Sequence, residues 1–422
     1  MKTKFLIIGA GITGLAFAKE IGSDYLIVEK EREIGGFCRT IKSGGFIWDY
    51  AGHFFHFKDP KMKQFFLDTI EESDIIYREK HTKIVYHGDF IDYPFQSNIH
   101  QLNKDEFIDC LYDLFNKKEK ESYDSFLDML YGKFGNSIVE KFLRPYNEKL
   151  YAVHLNELDS KAMGRFFPYA DTRSIINNMK KEISKTYNDE FVYPKQGVAT
   201  FLKAIYNDLD KNKVILNSEA VKINKEEKYV VLNSGETVYY DYVINTSPLN
   251  MFLNLFNEQI FEDINKKLSY NQVLVFNLGF DKGNVNIDEH WIYCPDKNIN
   301  FYRMGFYNNI LGTNKLSMYI EIGYPKTKVI DAQEIENQLA LTLNNLKKLN
   351  IIDDTFILED YCSLIMNPAY VHINDTADEI QQMKKDLAED SIFTIGRYGG
   401  WTYCSMEDCM LEAIELANRI KS

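Results

Sequence analysis

The sequence predicts an α/β fold: a Rossmann-like domain with an inserted helical domain and an antiparallel β-sheet domain. Three observations predict it, namely a glycine-interrupted apolar segment at the N-terminus, helical periodicity in the first half and strand-like alternation in the second half. The 422 residues suffice for about three domains. We predict a discontinuous Rossmann-like domain at 1–83, 191–265 and 386–422, a helical domain at 97–190 and a sheet domain at 84–96 and 266–385.

Composition places the chain among ordinary soluble globular proteins, with 45% hydrophobic and 26% charged residues. The 49 basic and 62 acidic residues give a net charge of −13, whereas nucleic acids and anionic membranes require a basic surface. No apolar segment approaches the roughly 18 residues of a transmembrane helix. The sequence therefore predicts no nucleic-acid partner and no insertion into a membrane.

The cysteines and histidines lack the spacing of a metal site. Six cysteines are dispersed, without a CxxC pair or a His/Cys cluster, so we predict no metal, and free thiols in a reducing compartment such as the cytoplasm. Met1–Ala18 superficially matches a secretory signal. Because glycines interrupt its apolar stretch, we favour a strand, a glycine turn and a helix there.

The N-terminal glycines have the pattern of a dinucleotide-binding loop. A predicted strand at Lys4–Ile8 leads into GxGxxG at Gly9, Gly11 and Gly14, then into a helix and a second strand that ends at Glu29. Such glycines allow a tight turn, close backbone approach to a pyrophosphate and close helix–strand packing. The helix N-terminus offers free N–H groups to phosphates, and Glu29 would accept hydrogen bonds from a ribose diol.

A second glycine pair follows, at Gly35 and Gly36, with Arg39 nearby. This segment resembles the glycine-pair motif of a large flavoprotein group that contains amine oxidases, phytoene desaturases and sugar mutases. The resemblance implies FAD as the cofactor, with a backbone-lined groove for its pyrophosphate and ribityl chain and with Arg39 neutralising charge. A simple turn is the alternative interpretation.

Two later segments are similar to the same architecture. A small predicted sheet begins near residue 220 and ends in a strand that returns to the Rossmann-like domain, and the backbone of Val221 would meet the adenine. Near the C-terminus a strand leads into Gly396 and Arg397, which would contact the cofactor, and then into a helix from about Met406 to Ile420. The N-terminus of that helix would point at the isoalloxazine and stabilise negative charge on the reduced flavin.

An ordered series of motifs narrows the resemblance to one family. The motifs are Tyr50–His56, Tyr93–Asn98, Leu143–Tyr151, Gly164–Arg165, Trp291–Tyr293, Phe301–Arg303 and Gly396–Tyr403. In this order they resemble the UDP-galactopyranose mutase family, more closely its eukaryotic type than the common bacterial type. The resemblance spans nearly the whole chain, and it implies that the sheet domain binds the substrate.

Two arginines are the predicted anchors of an anionic substrate. Arg165 and Arg303 come from different predicted domains, and Arg303 lies on a predicted strand that forms a hairpin with 291–294. Two guanidinium forks that converge on one cleft suit a diphosphate, which an acidic protein would otherwise repel. The resemblance implies that both bind the UDP pyrophosphate, while a structural ion pair is the alternative for each.

The resemblance implies the rest of the substrate site as well. Tyr293, Tyr370 and Tyr403 would donate hydroxyl hydrogen bonds to the phosphates, and His53 would lie against the flavin. Aromatic stacking and amide contacts would hold the uridine, with ordinary core packing as the alternative. The residues implied around the uridine are Tyr93, Phe95, Gln96, Tyr146, Asn147 and Tyr151, and Trp291 is implied as a further substrate-binding residue.

The implied activity is an isomerisation of a nucleotide sugar between its pyranose and furanose forms, with UDP-galactopyranose and UDP-galactofuranose as the expected pair, in galactofuranose-containing glycan synthesis. Reduced flavin N5 would attack the anomeric carbon and displace UDP. NADH or NADPH is a candidate reductant. Two positions depart from the family: Tyr151 replaces a usual tryptophan, and Ile310 stands where a phosphate-contacting tyrosine is expected, unless Tyr307 takes that role.

Two other functions stay open at this point. The first is an FAD-dependent oxidase or desaturase of the amine oxidase or protoporphyrinogen oxidase type, which shares the glycine motifs but needs an apolar or amine-binding pocket. The second is a non-catalytic protein that binds flavin and a nucleotide sugar. The sequence also leaves open a homo-oligomeric state and covalent flavin attachment.

Overall fold

The computed structural model describes residues 1–180, 190–284 and 286–421. Part of the predicted helical domain (181–189), one residue of the predicted sheet domain (285) and the last residue of the predicted Rossmann-like domain (422) lie outside the described residues.

The strands of the described residues are numbered in chain order. They are β1 (Lys2–Ile8), β2 (Tyr25–Val28), β3 (Thr40–Ser43), β4 (Phe46–Asp49), β5 (Ile75–Glu79), β6 (Thr82–Tyr86), β7 (Asp89–Asp92), β8 (Glu190–Pro194), β9 (Val214–Ile215), β10 (Ala220–Asn224), β11 (Tyr229–Leu232), β12 (Thr237–Asn245), β13 (Asn271–Phe280), β14 (Trp291–Tyr293), β15 (Arg303–Phe306), β16 (Ser317–Pro325), β17 (Leu358–Met366) and β18 (Ile392–Thr394).

The α-helices are numbered in the same way. They are α1 (Ile12–Ile21), α2 (Pro60–Thr69), α3 (Lys104–Asn116), α4 (Phe126–Phe134), α5 (Asn136–Ile138), α6 (Arg144–Tyr151), α7 (Thr172–Asn178), α8 (Ala199–Asn207), α9 (Leu249–Phe252), α10 (Gln259–Lys267), α11 (Tyr307–Leu311), α12 (Ala332–Lys348), α13 (Ala377–Glu389), α14 (Gly396–Gly399) and α15 (Met406–Lys421). No helix within these three described stretches is both long enough and apolar enough to cross a bilayer.

The first sheet has seven strands, in the order β10-β11-β12-β1-β2-β9, with β18 beside β12. β1 runs parallel to β2 and β12, and β12 runs parallel to β18. A parallel pair needs a crossover connection, and α1 provides it between β1 and β2. The strands come from both ends and the middle of the chain, so the predicted Rossmann-like fold is confirmed. The exact domain boundaries stay a prediction.

The second sheet also has seven strands, in the order β17-β13-β16-β15-β14-β6-β7. Every residue of β13, which lies between β17 and β16, is buried, which explains the long apolar run in the sequence. β14 and β15 form the predicted antiparallel hairpin, in which Tyr293 faces Arg303. This sheet carries Arg303 toward the first sheet.

The helical region contains α3 to α7. The structure continues from α5 through a wider π-helical segment at Val139–Leu143 directly into α6. Pro145 lies in the first turn of α6. Because proline lacks the N–H of a normal helical hydrogen bond, a wider turn is a way to continue the helix past it.

Candidate active site

The glycine loop between β1 and α1 forms an open cradle at the N-terminus of α1. Gly9 has φ +103°, which glycine adopts without strain. A Cβ on Gly14 would lie 2.1 Å from the carbonyl oxygen of Gly9, so the helix packs on the loop more closely than any other residue allows. A Cβ on Gly11 would meet no atom within 4 Å. The space above Gly11 is therefore open to a ligand.

Glu29 lies at the end of β2, beside this cradle. Its Oε2 accepts a hydrogen bond from the backbone N–H of Ala10 at 2.7 Å, and its Oε1 accepts one from that of Glu31 at 3.0 Å. The side chain is buried yet lines the cavity described next. A carboxylate can accept more than one hydrogen bond at each oxygen, so its position suits the predicted ribose contact.

A cavity of about 610 Å³ runs from the glycine cradle to the second sheet. This volume lies within the about 300–1,000 Å³ of typical ligand sites. One part of its wall comes from Gly9, Gly11–Thr13, Glu29 and Gly35–Arg39. Another comes from the second sheet and the C-terminal segment, through Tyr302, Arg303, Glu321, Tyr370, Arg397, Tyr398 and Tyr403.

The second glycine pair is in this wall, as predicted from the motif. Gly35 and Gly36 have φ +117° and +57°. The Nε of Arg39 donates to the carbonyl oxygen of Gly36 at 2.7 Å, while its Nη1 lies 3.6 Å from a carboxylate oxygen of both Glu31 and Glu33. The charge of Arg39 is thus already balanced by neighbouring carboxylates.

Val221 is not among the residues that line the cavity. Ser218, Glu219 and Ala220 line the cavity, whereas the side chain of Val221 is exposed. The β10–β11 register shifts between Ala220 and Lys222. Val221 is the extra residue of this bulge, and a bulge turns its residue out of the regular alternation. The contact between the Val221 backbone and the adenine stays a prediction.

Arg303 and Glu321 face each other across β15 and β16. The Nε of Arg303 donates to Oε2 of Glu321, and its Nη2 donates to Oε1 at 2.8 Å, so the pair is bidentate. Both residues line the cavity. The predicted anion anchor therefore enters the wall with a carboxylate already bound to it, and sequence reasoning missed this partner.

Arg397 contributes positive charge to the same wall. Its Nη1 donates to the carbonyl oxygen of Cys404 at 2.7 Å, and its guanidinium lies 5.4 Å and 4.8 Å from the ring centres of Tyr370 and Tyr403. Within the described part of the chain, no carboxylate forms an ion pair with Arg397. The two tyrosine rings stack on each other at 5.9 Å. This end of the cavity therefore combines a cation with several phenol hydroxyls.

Tyr302 belongs to the Phe301–Arg303 motif but was not predicted as a site residue. It is fully buried and lines the cavity, and its hydroxyl has no hydrogen-bond partner in the protein. A buried hydroxyl without a partner is costly, so a bound ligand would satisfy it. The signal available in the sequence was its place directly before Arg303.

His53 lines the cavity near the second glycine pair. Its Nδ1 lies 3.3 Å from the carbonyl oxygen of Ala51. Because a carbonyl only accepts, Nδ1 carries the hydrogen, and Nε2 of the neutral ring is the acceptor. Burial lowers the pKa of His53 to about 4, with smaller contributions from Arg397 and Arg303. The ring is therefore neutral at physiological pH.

Arg165 lies outside the cavity wall. It is solvent-exposed, and its Nη2 donates to both carboxylate oxygens of Asp408, at 2.7 and 2.8 Å. Ser405, which does line the cavity, is 3.4 Å away. The two predicted phosphate arginines thus do not converge in this structure, because Asp408 at the start of α15 holds Arg165 at the rim.

The residues predicted around the uridine pack together next to the cavity rather than in its wall. The ring of Tyr293 contacts those of Tyr93 at 4.9 Å and Tyr146 at 5.1 Å. Phe95 stacks on Phe142 in the core, and Nε1 of Trp291 donates to the hydroxyl of Tyr293. Three predicted contact atoms are buried without a hydrogen-bond partner: Oε1 of Gln96, Oδ1 of Asn147 and the hydroxyl of Tyr151.

Tyr307 and Ile310, the two candidates for the position of the family's phosphate-contacting tyrosine, do not line the cavity. The hydroxyl of Tyr307 donates to the carbonyl oxygen of Ala51 and accepts from the backbone N–H of Asp49, both at 3.1 Å. Ile310 is fully buried. Tyr307 therefore supports the loop that carries His53, and the wall hydroxyls come from other tyrosines.

The glycine cradle, the acid at the end of β2 and the discontinuous sheet define a class, that of dinucleotide-binding α/β proteins. Residues 12–421 match the family model described as flavin containing amine oxidoreductase. This match covers nearly the whole chain, which therefore belongs to that family.

Individual proteins extend the comparison at low identity. Coproporphyrinogen III oxidase of Staphylococcus aureus (strain NCTC 8325 / PS 47) is 23% identical over 327 residues, 68% of this chain and 69% of the relative. The crystal structure of a reduced UDP-galactopyranose mutase superposes with a TM-score of 0.91 at 22% identity, covering 100% of this chain and 94% of that one. A putative protoporphyrinogen oxidase from Exiguobacterium sp. 255-15 gives 0.78 at 15% identity, covering 99% and 98%. The predicted mutase-like fold is thereby confirmed.

Proposed function

We propose that the chain is an FAD-dependent mutase that interconverts the pyranose and furanose forms of a nucleotide sugar, with UDP-galactose as the sugar nucleotide. One observation carries this proposal: the cavity that starts at the dinucleotide cradle ends among Arg303, Arg397 and tyrosine hydroxyls. Guanidinium and phenol donors suit phosphate oxygens. The fold likeness to a UDP-galactopyranose mutase supports the same function.

The cradle fits the pyrophosphate of FAD. The open space above Gly11 and the free N–H groups at the start of α1 suit phosphates, and Glu29 suits the ribose. When bound and reduced, the flavin would supply the nucleophile for the sugar. No side chain of the wall is therefore assigned that role.

The protein's own residues would hold the diphosphate and orient the sugar. Arg303 is fixed by Glu321, so it is oriented before a ligand arrives, which avoids reorganisation on binding. Arg397 adds a charge that no carboxylate of the described residues balances, and the hydroxyls of Tyr302, Tyr370 and Tyr403 would complete the phosphate contacts. His53 would present its unprotonated Nε2 as a hydrogen-bond acceptor.

The rim and the aromatic cluster would complete the substrate site. Arg165 would reach a phosphate by exchanging its bond to Asp408 for one to the ligand. The unpartnered groups of Gln96, Asn147 and Tyr151 would be satisfied by the uridine. These groups are not in the cavity wall of this structure, so binding of the base there would need a local rearrangement.

An oxidase is the second candidate. Two observations favour it. Arg165 lies outside the wall, paired with Asp408, and the carboxylate of Glu321 offsets the positive charge of Arg303 that a diphosphate would need. The similarity to a coproporphyrinogen III oxidase also supports an oxidase function. Such an enzyme would oxidise a porphyrinogen or an amine instead of binding UDP.

Calorimetric titration of the holoenzyme with UDP and with coproporphyrin III separates the two candidates. The mutase proposal expects UDP to bind, and Arg303→Leu to weaken that binding at least tenfold. Arg144→Leu is the matched control, because Arg144 pairs with Glu140 and Glu148 away from the cavity. Binding of the porphyrin but not of UDP would contradict the proposal and support the oxidase.

A further inference from the structure

Three of the six cysteines gather in the wall of the flavin-site cavity. Cys38, Cys404 and Cys409 line it together with Met406. The Sγ atoms of Cys404 and Cys409 are 3.5 Å apart, and Sγ of Cys38 is 3.6 Å from Sδ of Met406. The other cysteines, Cys110, Cys294 and Cys362, are not in this wall. All are free thiols in the structure.

The geometry of the pair favours a reversible bond between the two sulfurs. Cys409 lies in the first turn of α15, where its N–H donates to the carbonyl oxygen of Ser405 at 3.1 Å. Cys404 precedes the helix, is partly exposed and carries no regular secondary structure. Closing the contact to a disulfide of about 2.05 Å therefore needs movement mainly at Cys404.

The electrostatics give the two thiols different roles. The hydrogen bond from Cys404 lowers the pKa of Cys409, with further lowering by Arg397 and Thr13, against the effect of burial. The same hydrogen bond raises the pKa of Cys404. The N-terminus of a helix also stabilises a thiolate. When the pair loses its first proton, the negative charge is therefore favoured on Cys409, and Cys404 keeps its proton.

We propose that Cys404 and Cys409 are a redox-active dithiol that exchanges an electron pair with flavin bound in this cavity. In one direction a bond forms between the two sulfurs, and the S–H bond of Cys404 breaks. The oxidised flavin held in this cavity would accept the two electrons and that proton. Charge and atoms balance, because one thiol and one thiolate become a neutral disulfide.

This dithiol goes beyond the proposed mutase function and does not depend on it. A flavoenzyme that works in the reduced state needs an entry point for electrons, and a dithiol in the wall accepts them by exchange with an external dithiol reductant. In a reducing compartment, disulfides are usually transient and catalytic or redox-sensing, which agrees with a pair that is reduced at rest.

The first test detects the bond itself. Holoenzyme is oxidised with diamide, desalted, unfolded, alkylated with N-ethylmaleimide and digested with trypsin. Cys404 and Cys409 lie in one tryptic peptide, 398–419, because no Lys or Arg lies between Arg397 and Arg419. We expect this peptide to be two hydrogens lighter and unalkylated, and to gain two adducts after chemical reduction. Two adducts after oxidation, or a disulfide to Cys38 instead, would overturn the proposal.

The second test counts electrons in the holoenzyme. Diamide-treated protein is titrated anaerobically with dithionite while the flavin absorbance is followed. Wild type is expected to take up two electron pairs per flavin, and Cys404→Ser and Cys409→Ser one pair each. Cys362→Ser, a partly exposed cysteine outside the wall, is the control and should take up two. One pair in wild type, or two in Cys404→Ser, would overturn the proposal.

The two tests remain decisive if a variant folds poorly. The mass measurement and the wild-type titration need no variant. Cys404→Ser changes a partly exposed loop residue, whereas Cys409→Ser changes a buried helix residue, so the first is the safer substitution. Neither test uses turnover of a nucleotide sugar, so failure of the dithiol and failure of the mutase proposal are distinguishable.

Discussion

Arg303 enters the cavity bound to Glu321, and this pair sets the electrostatics of the whole polar end. An arginine held by a carboxylate is fixed in place, but it offers less net attraction to an anion. Arg397 supplies a second positive charge, and no carboxylate of the described residues pairs with it. Anion binding in this cavity therefore depends on both arginines and on the tyrosine hydroxyls between them.

Replacement of Arg303 by Ala should reduce kcat/KM for a nucleotide sugar by about a hundredfold or more, because a preoriented charged donor is lost and Glu321 is left unpaired. Arg165→Ala should cost less, since Arg165 must first leave Asp408. Steady-state kinetics of the two variants beside Arg144→Ala measure this order. Equal activity of Arg303→Ala and wild type would exclude Arg303 from substrate binding.

Glu29→Ala should weaken flavin retention by about tenfold to a hundredfold, the usual effect of losing hydrogen bonds to a charged group. The same change removes an acceptor from the N–H of Ala10. Flavin content after purification and a fluorescence titration of apoprotein measure it. Glu33→Ala, in the same loop but outside the cavity wall, serves as the control. An unchanged affinity in Glu29→Ala would refute the ribose contact.

Buried neutral histidines should make stability fall in acid. Burial lowers the pKa of His372 to about 4 from 6.5, so the unfolded chain binds more protons between these values, and the free energy of unfolding decreases as pH falls through them. The contribution is about 1.4 kcal/mol per pH unit. Urea denaturation at several pH values should show a wild-type advantage over His372→Gln that shrinks from pH 6.5 to 4. A constant difference would disprove the assignment.

The residues of the site were predictable where a local pattern marks them. Gly9, Gly11, Glu29 and Arg303 stand in motifs whose chemistry is readable from sequence, and the structure places each in the cavity wall. Glu321 was not predictable, because its role depends on the cross-strand register that sets it opposite Arg303. The position of Arg165 at the rim was not predictable for a similar reason, since its partner Asp408 is distant in the chain.

At the scale of elements, Gly11 and Gly14, where β1 leads into α1, are needed for different reasons. A Cβ on Gly14 would collide with the carbonyl oxygen of Gly9, so Gly14→Ala should lower the free energy of unfolding by about 1–3 kcal/mol. A Cβ on Gly11 meets no protein atom but points into the open cradle. Gly11→Ala should therefore cost less than about 1 kcal/mol and still weaken flavin binding.

Thermal unfolding of the apoprotein and flavin titration of both variants test this separation. Each variant controls for the other, because they change neighbouring glycines of one loop by the same methyl group. If Gly11→Ala destabilised the apoprotein as much as Gly14→Ala, or bound flavin normally, the cradle above Gly11 would not be the phosphate site.

Elements with short-range signals were predicted well, and those set by long-range contacts were not. The strand–helix–strand unit at the N-terminus and the β14–β15 hairpin follow from local periodicity and turn residues. The π-helical segment before α6 and the bulge at Val221 arise where regular hydrogen bonding is interrupted, by Pro145 in the first case. Their consequences for side-chain direction are not readable from periodicity alone.

At the scale of the whole molecule, the site exists only because distant segments meet. The N-terminal loop, the residues before β10, the second sheet and the C-terminal segment all contribute to one cavity. The order of motifs predicted this assembly through family resemblance, whereas composition alone gave only a multi-domain globular protein. Cytoplasmic location, a homo-oligomeric state and a nicotinamide reductant stay predictions.

The central claim is that this cavity binds a nucleotide sugar and isomerises it with reduced flavin. The most direct measurement is anaerobic chromatography of UDP-galactofuranose incubated with the holoenzyme, with and without dithionite. We expect conversion to UDP-galactopyranose only after the flavin is reduced. Absence of conversion in both states, with FAD and UDP both bound, would contradict the mutase proposal. A non-catalytic binding protein or an enzyme for a different sugar nucleotide would then be favoured. Failure to bind UDP as well would favour the oxidase.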